Sequence, residues 1–395
     1  MPDTLKRRIG PGLLTAYGVG VMVGAGIYVL VGAVAAEAGL YAPLAFLLAG
    51  VVAAPTALSY AEFSTRFPEA AGEAIYVSQG FARSWLAIIV GLAIVVTGTI
   101  SAAAVLRGGV GYLQLIVTVP PGWATLIIGL ALVTVAAIGV LESLALAGLF
   151  TAIEVAGLAL VIWAGAGAAP QVAALPPLDP ALLGGIAAGA GLAFFAFIGF
   201  EDIVNMAEEV REPSRTLPRA ILWSLIITAL LYAAVTWAAV RAVPLDLLGQ
   251  SERPLALVWQ ATRGGEARFL SAIAVVAALN GVLAQIVMAS RVLFGLGGRT
   301  RALALFHRAH PRLGTPLLAT ALVGLAVIAT ANFLPVATLA RATSSVLLAV
   351  FVTVNLALIA MKRRQPAAPF RVPMAVPVCG LILSALAWGV TVLQF

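Results

Sequence analysis

The sequence predicts an all-α membrane protein with many spans, and three observations support this fold class. Of the 395 residues, 62% are hydrophobic and only 10% are charged, and the mean hydropathy is +1.08. Apolar segments of about 20 residues, long enough to cross hydrocarbon as helices, recur along the chain. Most of the 23 Lys and Arg residues stand in short segments between them, which is typical of polytopic membrane proteins rather than of nucleic-acid-binding proteins.

Eleven spans follow when the apolar runs are taken in order. Most Lys and Arg residues then fall on the side of the N-terminus, so we expect a cytoplasmic N-terminus and, with an odd number of spans, an external C-terminus. The segment before the first span lacks the small-residue cleavage site of a signal peptide, so we expect that span to be retained in a multi-pass protein of the cytoplasmic (inner) membrane. The predicted spans are 11–36, 41–65, 84–107, 122–141, 145–166, 182–207, 218–240, 268–296, 316–334, 337–361 and 374–393.

One stretch, residues 193–218, combines the apolar character of a span with two adjacent carboxylates. In AFFAFIGFEDIVNMAEEVREPSRTLP, Gly199 is followed by Glu201 and Asp202. A carboxylate in a membrane costs ~2.5 kcal/mol or more unless it faces water or a partner. Interrupted helical backbone is tolerated there only where it is buried in protein or lines a cavity. We therefore expect a discontinuous helix with a binding site at its break; the alternative is a helix that ends at Gly199, with its carboxylates at the surface.

A Pro-rich linker, AAPQVAALPPLDP, separates five spans from the next five. Because five is odd, the second set would be inserted upside down relative to the first. The first span of each set is interrupted by glycine, at Gly24-Ala25-Gly26 and at Gly199, and matching interruptions of this kind point to a transporter site. Close helix packing is the other use of such glycines. The sequence thus predicts a five-plus-five inverted repeat, with repeat one at 11–166, repeat two at 181–361 and an additional helix at 374–393.

Four motifs occur in the order in which a known family has them. They are GVMVGAGIYVLVG, ALSYAEFSTRFPEAAGEAIYV, FFAFIGFEDIVNMAEEVREPSRTLPRAI, and NGVLAQIVMASRVLFGLGG followed by HPRLGTP. With them the chain resembles the amino acid–polyamine–organocation superfamily of permeases, close to its cationic amino acid transporter-like bacterial members. The resemblance implies one transport domain over residues 1–395, with an inverted-repeat fold in which the first and sixth predicted spans are unwound at the centre. The family usually has 12 helices, so eleven is a departure from it.

The two helix breaks offer partners for the two charged groups of an amino acid. Where the helix resumes after Gly26, free N–H groups and the partial positive charge of the helix start suit a carboxylate. Free carbonyls before Gly199 suit an ammonium. In the family that the chain resembles, an aromatic residue at the position of Phe195 gates the substrate, and Glu201 matches a position that carries Glu or Asp; ordinary packing is the alternative for each phenylalanine. The predicted substrate-binding residues are Val23, Gly24, Ala25, Gly26, Ile27, Phe195, Phe197, Ile198, Gly199 and Glu201.

Glu154 is the only charged residue in its span and lies near the middle, about 13 Å along the helix from the start. Removal from water disfavours the charged form of a carboxylate, so the position suits a group that takes up and releases a proton. The resemblance implies a similar role, because proton-coupled relatives carry there a lysine whose ammonium replaces a sodium ion. An ionised, cation-binding Glu154 and a permanently protonated structural one are the alternatives. The predicted coupling residues are Glu154 and Glu201, with Asn280 and Gln285 of the eighth predicted span, 268–296, as candidate partners.

Residues and resemblance together predict a secondary active transporter of amino acids that works by alternating access and is coupled to protons. Exchange of amino acids or polyamines without net proton movement is the alternative. Because two carboxylates lie near the predicted site, cationic amino acids or polyamines are also alternatives as substrates. The spans lack paired aspartates, HExxH or a Ser/Lys arrangement, so no enzyme is expected, and a non-transporting sensor is a distant alternative. His307 and His310 have no further candidate metal ligands near them in sequence, so we expect no metal site there. The expected partners are therefore a small-molecule substrate, protons and lipid, with no cofactor, metal or nucleic acid.

Overall fold

The computed structural model describes residues 9–67, 72–138, 144–170 and 175–393. These residues form helices and no β-strand, apart from one isolated bridge between Ile9 and Val210. Within them, nine helical segments are long and apolar enough to cross a membrane, by length and composition, and two shorter apolar helices accompany them, Pro11–Gly24 and Leu317–Phe333. One of the nine, Gly26–Arg66, contains parts of two predicted spans, so every predicted span has a helical counterpart. The all-α polytopic fold class is confirmed.

Numbered in chain order, the α-helices of the described residues begin with α1 Pro11–Ala38, α2 Ala42–Arg66, α3 Gly72–Phe81, α4 Ser84–Leu113, α5 Pro121–Ile138, α6 Leu144–Ala166 and α7 Pro180–Phe194. They continue with α8 Pro213–Ala242, α9 Leu245–Gln250, α10 Pro254–Arg263, α11 Arg268–Gly297, α12 Leu317–Phe333, α13 Val336–Arg364 and α14 Ala375–Leu393. Short 3-10 helices lie at Gly39–Tyr41, Phe195–Phe197, Glu201–Glu209 and Arg301–Phe306. Helices α3, α9 and α10 were not predicted as elements, because they are short and lie in the connections between spans.

Proline and capping residues explain where several helices begin. Pro180 opens α7, and the carboxylate of Asp179 just before it accepts a hydrogen bond of 2.7 Å from the Leu182 N–H. This contact satisfies one of the N–H groups that a helix start leaves unpaired. Pro213 opens α8 in the same position, where its missing N–H and fixed φ are tolerated. The stretch from 195 to 212 is therefore bounded by two well-defined helices.

Four helices of the first predicted repeat pack against their counterparts in the second. Helix α1 contacts α7, α2 contacts α8, α4 contacts α11, and α5 contacts α12. Two repeats related by a pseudo-twofold axis would pack in this way; the repeat boundaries themselves stay a prediction. The outward surfaces carry exposed large apolar side chains, among them Trp123, Leu230 and Leu386, which is the surface that hydrocarbon would cover.

A buried charge network joins the predicted cytoplasmic ends of α2 and α13. The Glu62 carboxylate accepts hydrogen bonds from Lys362 Nζ at 2.6 Å, from Arg66 Nη2 at 2.6 Å and from the Val372 N–H at 2.9 Å. Arg66 also donates to the carbonyls of Gln365 and Ala367. The side chains of Glu62 and Lys362 are 0% and 2% exposed. The network therefore fixes the loop after α13 against the end of α2.

Candidate functional site

Helix α1 is not continuous. Gly24 has main-chain angles of φ −12° and ψ −164°, far from helical values, and the helix resumes after it. A side-chain Cβ at Gly24 would meet nothing within 4 Å. The backbone at this point therefore borders open space, as expected for a glycine break that faces a ligand.

The second break lies at residues 195–199, inside the stretch 193–218 for which the sequence predicts a discontinuous helix. Helix α7 ends at Phe194, the 3-10 turn Phe195–Phe197 follows, and Ile198 is extended with ψ 130°. Gly199 has φ +127°, a conformation that side-chain-bearing residues rarely adopt. The carboxylate of Glu201 accepts a hydrogen bond of 2.9 Å from the Gly199 N–H. Glu201 therefore holds the break itself and opens the 3-10 helix Glu201–Glu209, which extends past residue 207, where the predicted span ends.

The two breaks touch each other through their glycines. A Cβ on Gly199 would stand 2.7 Å from a Val21 side-chain carbon and 3.2 Å from the Met22 nitrogen. A Cβ on Gly26 would stand 3.2 Å from the Ala196 Cα. Both glycines thus allow a close approach of the two backbones. At Gly26 the close packing and the proposed ligand contact occur in the same residue.

Tyr232 of α8 contacts the main chain at both breaks. Its hydroxyl lies 2.5 Å from the Met22 carbonyl oxygen and 2.8 Å from that of Ala196, and its single proton is shared between these two acceptors. The side chain is fully buried and packs edge-on against Phe197. Main-chain carbonyls freed by the breaks are thereby satisfied inside the protein. Sequence reasoning missed this residue, although it is the only tyrosine in the apolar run of α8.

A cavity of about 120 Å³ lies against the two breaks. Its walls come from α1 on both sides of its break, from the stretch just after α7, and from the middle of α4 and of α11, with one contribution from α6. The lining residues are Tyr17, Gly20, Val21, Met22, Gly24, Gly26, Ser101, Val105, Thr151, Phe195, Ile198, Asn280, Gly281, Ala284 and Gln285.

Several predicted site residues line this cavity and others do not. The residues that line it are Gly24, Gly26, Phe195, Ile198, Asn280 and Gln285. Val23, Ile27 and Phe197 are fully buried and, like Gly199, Glu201 and Glu154, do not line it. The side chain of Ala25 lies outside the described part.

The lining residues that the sequence did not indicate come mainly from helices without a break. Ser101 and Val105 of α4 and Thr151 of α6 stand in apolar runs that contain several small polar residues. Nothing in those runs distinguishes the residues that face the cavity. Tyr17 carries a better signal, because it lies two turns before Gly24 in the same helix.

Glu154 lies deep in the protein beside the break of α1. It is 1% exposed, and neither carboxylate oxygen has a hydrogen-bond partner among the described residues. Its main-chain carbonyl accepts a hydrogen bond of 2.8 Å from the hydroxyl of Tyr28. The hydroxyls of Tyr28 and Tyr232 are within electrostatic range of the carboxylate. A buried carboxylate without a partner is costly when charged.

Two further sets of charged groups lie outside the cavity lining. Arg341 at the start of α13 donates a hydrogen bond of 2.5 Å to Glu37 at the end of α1, a contact about one-third exposed. In the second set, Glu73 of α3 is buried and lies within electrostatic range of Glu201 and Asp202. Burial raises the pKa of the Glu73 carboxyl above its ordinary value.

Comparisons with known proteins agree on one family. A sequence profile described as amino acid permease matches residues 13–395. The branched-chain amino acid permease BcaP of Bacillus subtilis is 27% identical over 99% of this chain and 90% of its own length. The methylthioribose transporter of the same organism is 28% identical over 99% and 91%. The chloroplastic cationic amino acid transporter 9 of Arabidopsis thaliana is 32% identical over 78% of this chain and 58% of its own.

Proposed function

Because this chain belongs to the amino acid permease family, we propose that it is a secondary active transporter that moves amino acids by alternating access with coupling to protons. The observation that carries the proposal is the contact of two helix breaks beside one cavity, with Gly199 against Val21 and Gly26 against Ala196. Interrupted helices at corresponding positions of two repeats are the usual place of a transporter's substrate.

The substrate's carboxylate is assigned to the start of the resumed helix α1. The N–H groups near Gly24 and Gly26 point along the helix axis there and carry the partial positive charge of a helix start. The ammonium is assigned to the main-chain carbonyls beside Val21 and Ile198, which border the same cavity. The carbonyls of Met22 and Ala196 are taken by the Tyr232 hydroxyl, so they are not part of this assignment.

Proton coupling is assigned to Glu154, with Glu201 as the second candidate. The buried carboxylate of Glu154 without a described partner supports this role, because a change of access state would change its exposure to water and its preferred charge. The Arg and Lys distribution supports a cytoplasmic N-terminus in the cytoplasmic membrane. Helix α1 before Gly24 then lies on the cytoplasmic side, and the Glu37–Arg341 pair lies on the outer side.

The proposal is tested with purified protein in sealed vesicles that contain a pH-sensitive dye. A panel of radiolabelled amino acids is offered with and without an imposed pH gradient that is alkaline inside. We expect accumulation that requires the gradient and acidification of the lumen that requires the amino acid. Uptake only into vesicles preloaded with amino acid, without acidification, would instead show exchange. No movement of any amino acid would contradict transport altogether.

A further inference from the structure

The cavity has two chemically different walls. One wall is main chain from the two breaks, bordered by Val21, Gly24 and Ile198. The other wall comes from α4 and α11, which pack against each other along much of their length. If the charged groups of an amino acid bind at the breaks, its side chain faces this α4–α11 wall. The inference below therefore rests on the proposed function and extends it to the substrate's side chain.

The α4–α11 wall is polar but uncharged. It presents the hydroxyl of Ser101, two carboxamides and small apolar surfaces, and its residues are Ser101, Val105, Asn280, Gly281, Ala284 and Gln285. Within the described residues, no Asp, Glu, Lys or Arg lines the cavity. A ligand side chain at this wall would therefore meet hydrogen-bonding groups and methyl groups, without a counter-charge.

The nearest acidic residues in the chain are held elsewhere. Glu154 follows the lining residue Thr151 by three positions but is 1% exposed and stands outside the lining. Glu201 is 7% exposed, and its carboxylate is engaged by the Gly199 N–H. Neither carboxylate borders the α4–α11 wall, so neither can pair there with a substrate's second positive charge.

We propose that the protein takes amino acids with uncharged side chains and excludes cationic amino acids and polyamines. A lysine ammonium or an arginine guanidinium loses its hydration on entering the cavity, and burial of a charge without a partner is strongly unfavourable. An uncharged side chain loses far less, and the amides and the Ser101 hydroxyl compensate its polar atoms. The similarity to relatives named as cationic amino acid transporters therefore does not extend to the side-chain wall.

Gln285 is the position in this wall at which a change of charge tests the proposed selectivity. A Cβ on Gly98 of α4 would stand 3.2 Å from the Gln285 side-chain oxygen, so the amide packs across the α4–α11 contact at the cavity edge. A carboxylate is nearly isosteric with this amide. The exchange of one for the other alters the charge of the wall with little change in its shape.

The first test measures ligand-induced thermal shifts and transport of the wild-type chain. The probes are leucine, valine, alanine, serine and glutamine on one side, and lysine, arginine, ornithine and putrescine on the other. We expect at least one neutral amino acid to stabilise the protein and to be transported, with the cationic probes weaker by on the order of 100-fold. Cationic probes as strong as the best neutral one would overturn the inference and leave amino acid transport intact. If no amino acid binds or moves, the proposed function itself fails.

The second test uses Gln285→Glu with two controls. We expect this variant to gain lysine or ornithine binding by at least about tenfold, because the wall then carries a counter-charge. Gln285→Met removes the amide without adding charge and should continue to exclude lysine. Gln114→Glu makes the same chemical change at the end of α4, outside the cavity lining, and should leave selectivity unchanged. A folded Gln285→Glu protein that excludes lysine as the wild type does would overturn the assignment of this wall.

Discussion

The hydroxyl of Tyr28 donates a hydrogen bond of 2.8 Å to the main-chain carbonyl of Glu154. Tyr28 lies one turn after the break of α1, and the Tyr112 hydroxyl in turn donates to its carbonyl at 2.6 Å. The resumed half of α1 is thus fixed to α6 at the position of the buried carboxylate. A movement of the break on substrate binding would change the surroundings of Glu154, as the proposed coupling requires.

Glu154→Gln should abolish uphill uptake and flatten its pH dependence. The amide keeps the shape and cannot titrate, whereas the cavity and both breaks are untouched. Exchange of labelled for unlabelled substrate should therefore survive in part. The measurement is uptake into vesicles with and without a pH gradient, beside counterflow under the same conditions.

Thr99→Val is the control for Glu154→Gln. Thr99 lies on α4 outside the cavity lining, and the Thr99 hydroxyl donates to a carbonyl of the same helix. If Glu154→Gln accumulates substrate with the wild-type pH profile, Glu154 is structural, and Glu201 becomes the coupling candidate.

Tyr232→Phe should destabilise the protein by ~1–3 kcal/mol, because two buried carbonyls at the breaks lose their donor. Tyr41→Phe is the matched control, since its hydroxyl donates to the Pro176 carbonyl at an exposed place. Thermal unfolding in detergent would show a lower midpoint for Tyr232→Phe alone. Equal midpoints for the two variants would mean that the hydroxyl does not brace the breaks.

Lys362→Met should cost ~3 kcal/mol of stability, since it removes a buried cation from Glu62 and a donor from the Val372 carbonyl. Arg363→Met removes the same charge from the next, exposed position and should change stability little. The check is the unfolding midpoint of both proteins in the same detergent. Similar losses in the two variants would show that the network contributes only net charge.

Glu73→Gln should stabilise the protein near neutral pH and leave it unchanged near pH 4. Burial raises the pKa of the Glu73 carboxyl, so the folded state binds this proton more tightly than the unfolded state does. That contribution to stability is complete below the unfolded-state pKa and is lost as the pH rises through the folded-state pKa. The glutamine carries no such penalty.

Thermal unfolding across this pH range tests the Glu73 prediction, with Glu252→Gln as an exposed control. A variant whose midpoint differs from that of the wild type by the same amount at every pH would contradict it.

The sequence alone determined the fold class and the two breaks, because both depend on local properties. Apolar runs of membrane-spanning length need no knowledge of their neighbours, and glycine at 24 and 199 marks places where the backbone leaves the helix. The order of motifs likewise indicated the family. Four of the ten residues predicted to bind substrate, Gly24, Gly26, Phe195 and Ile198, line the cavity, and whether they bind substrate stays a prediction.

Tertiary structure decided which side chains meet. Glu62 and Lys362 are 300 positions apart in the chain, and Tyr232 lies 210 positions from Met22. Such contacts depend on how each helix is rotated about its axis and on which neighbour it packs against. In an all-apolar helix the sequence gives little sign of that rotation, because the lipid-facing and protein-facing sides have similar composition. For this reason Ser101 and Thr151 could not be singled out beforehand, whereas the breaks could.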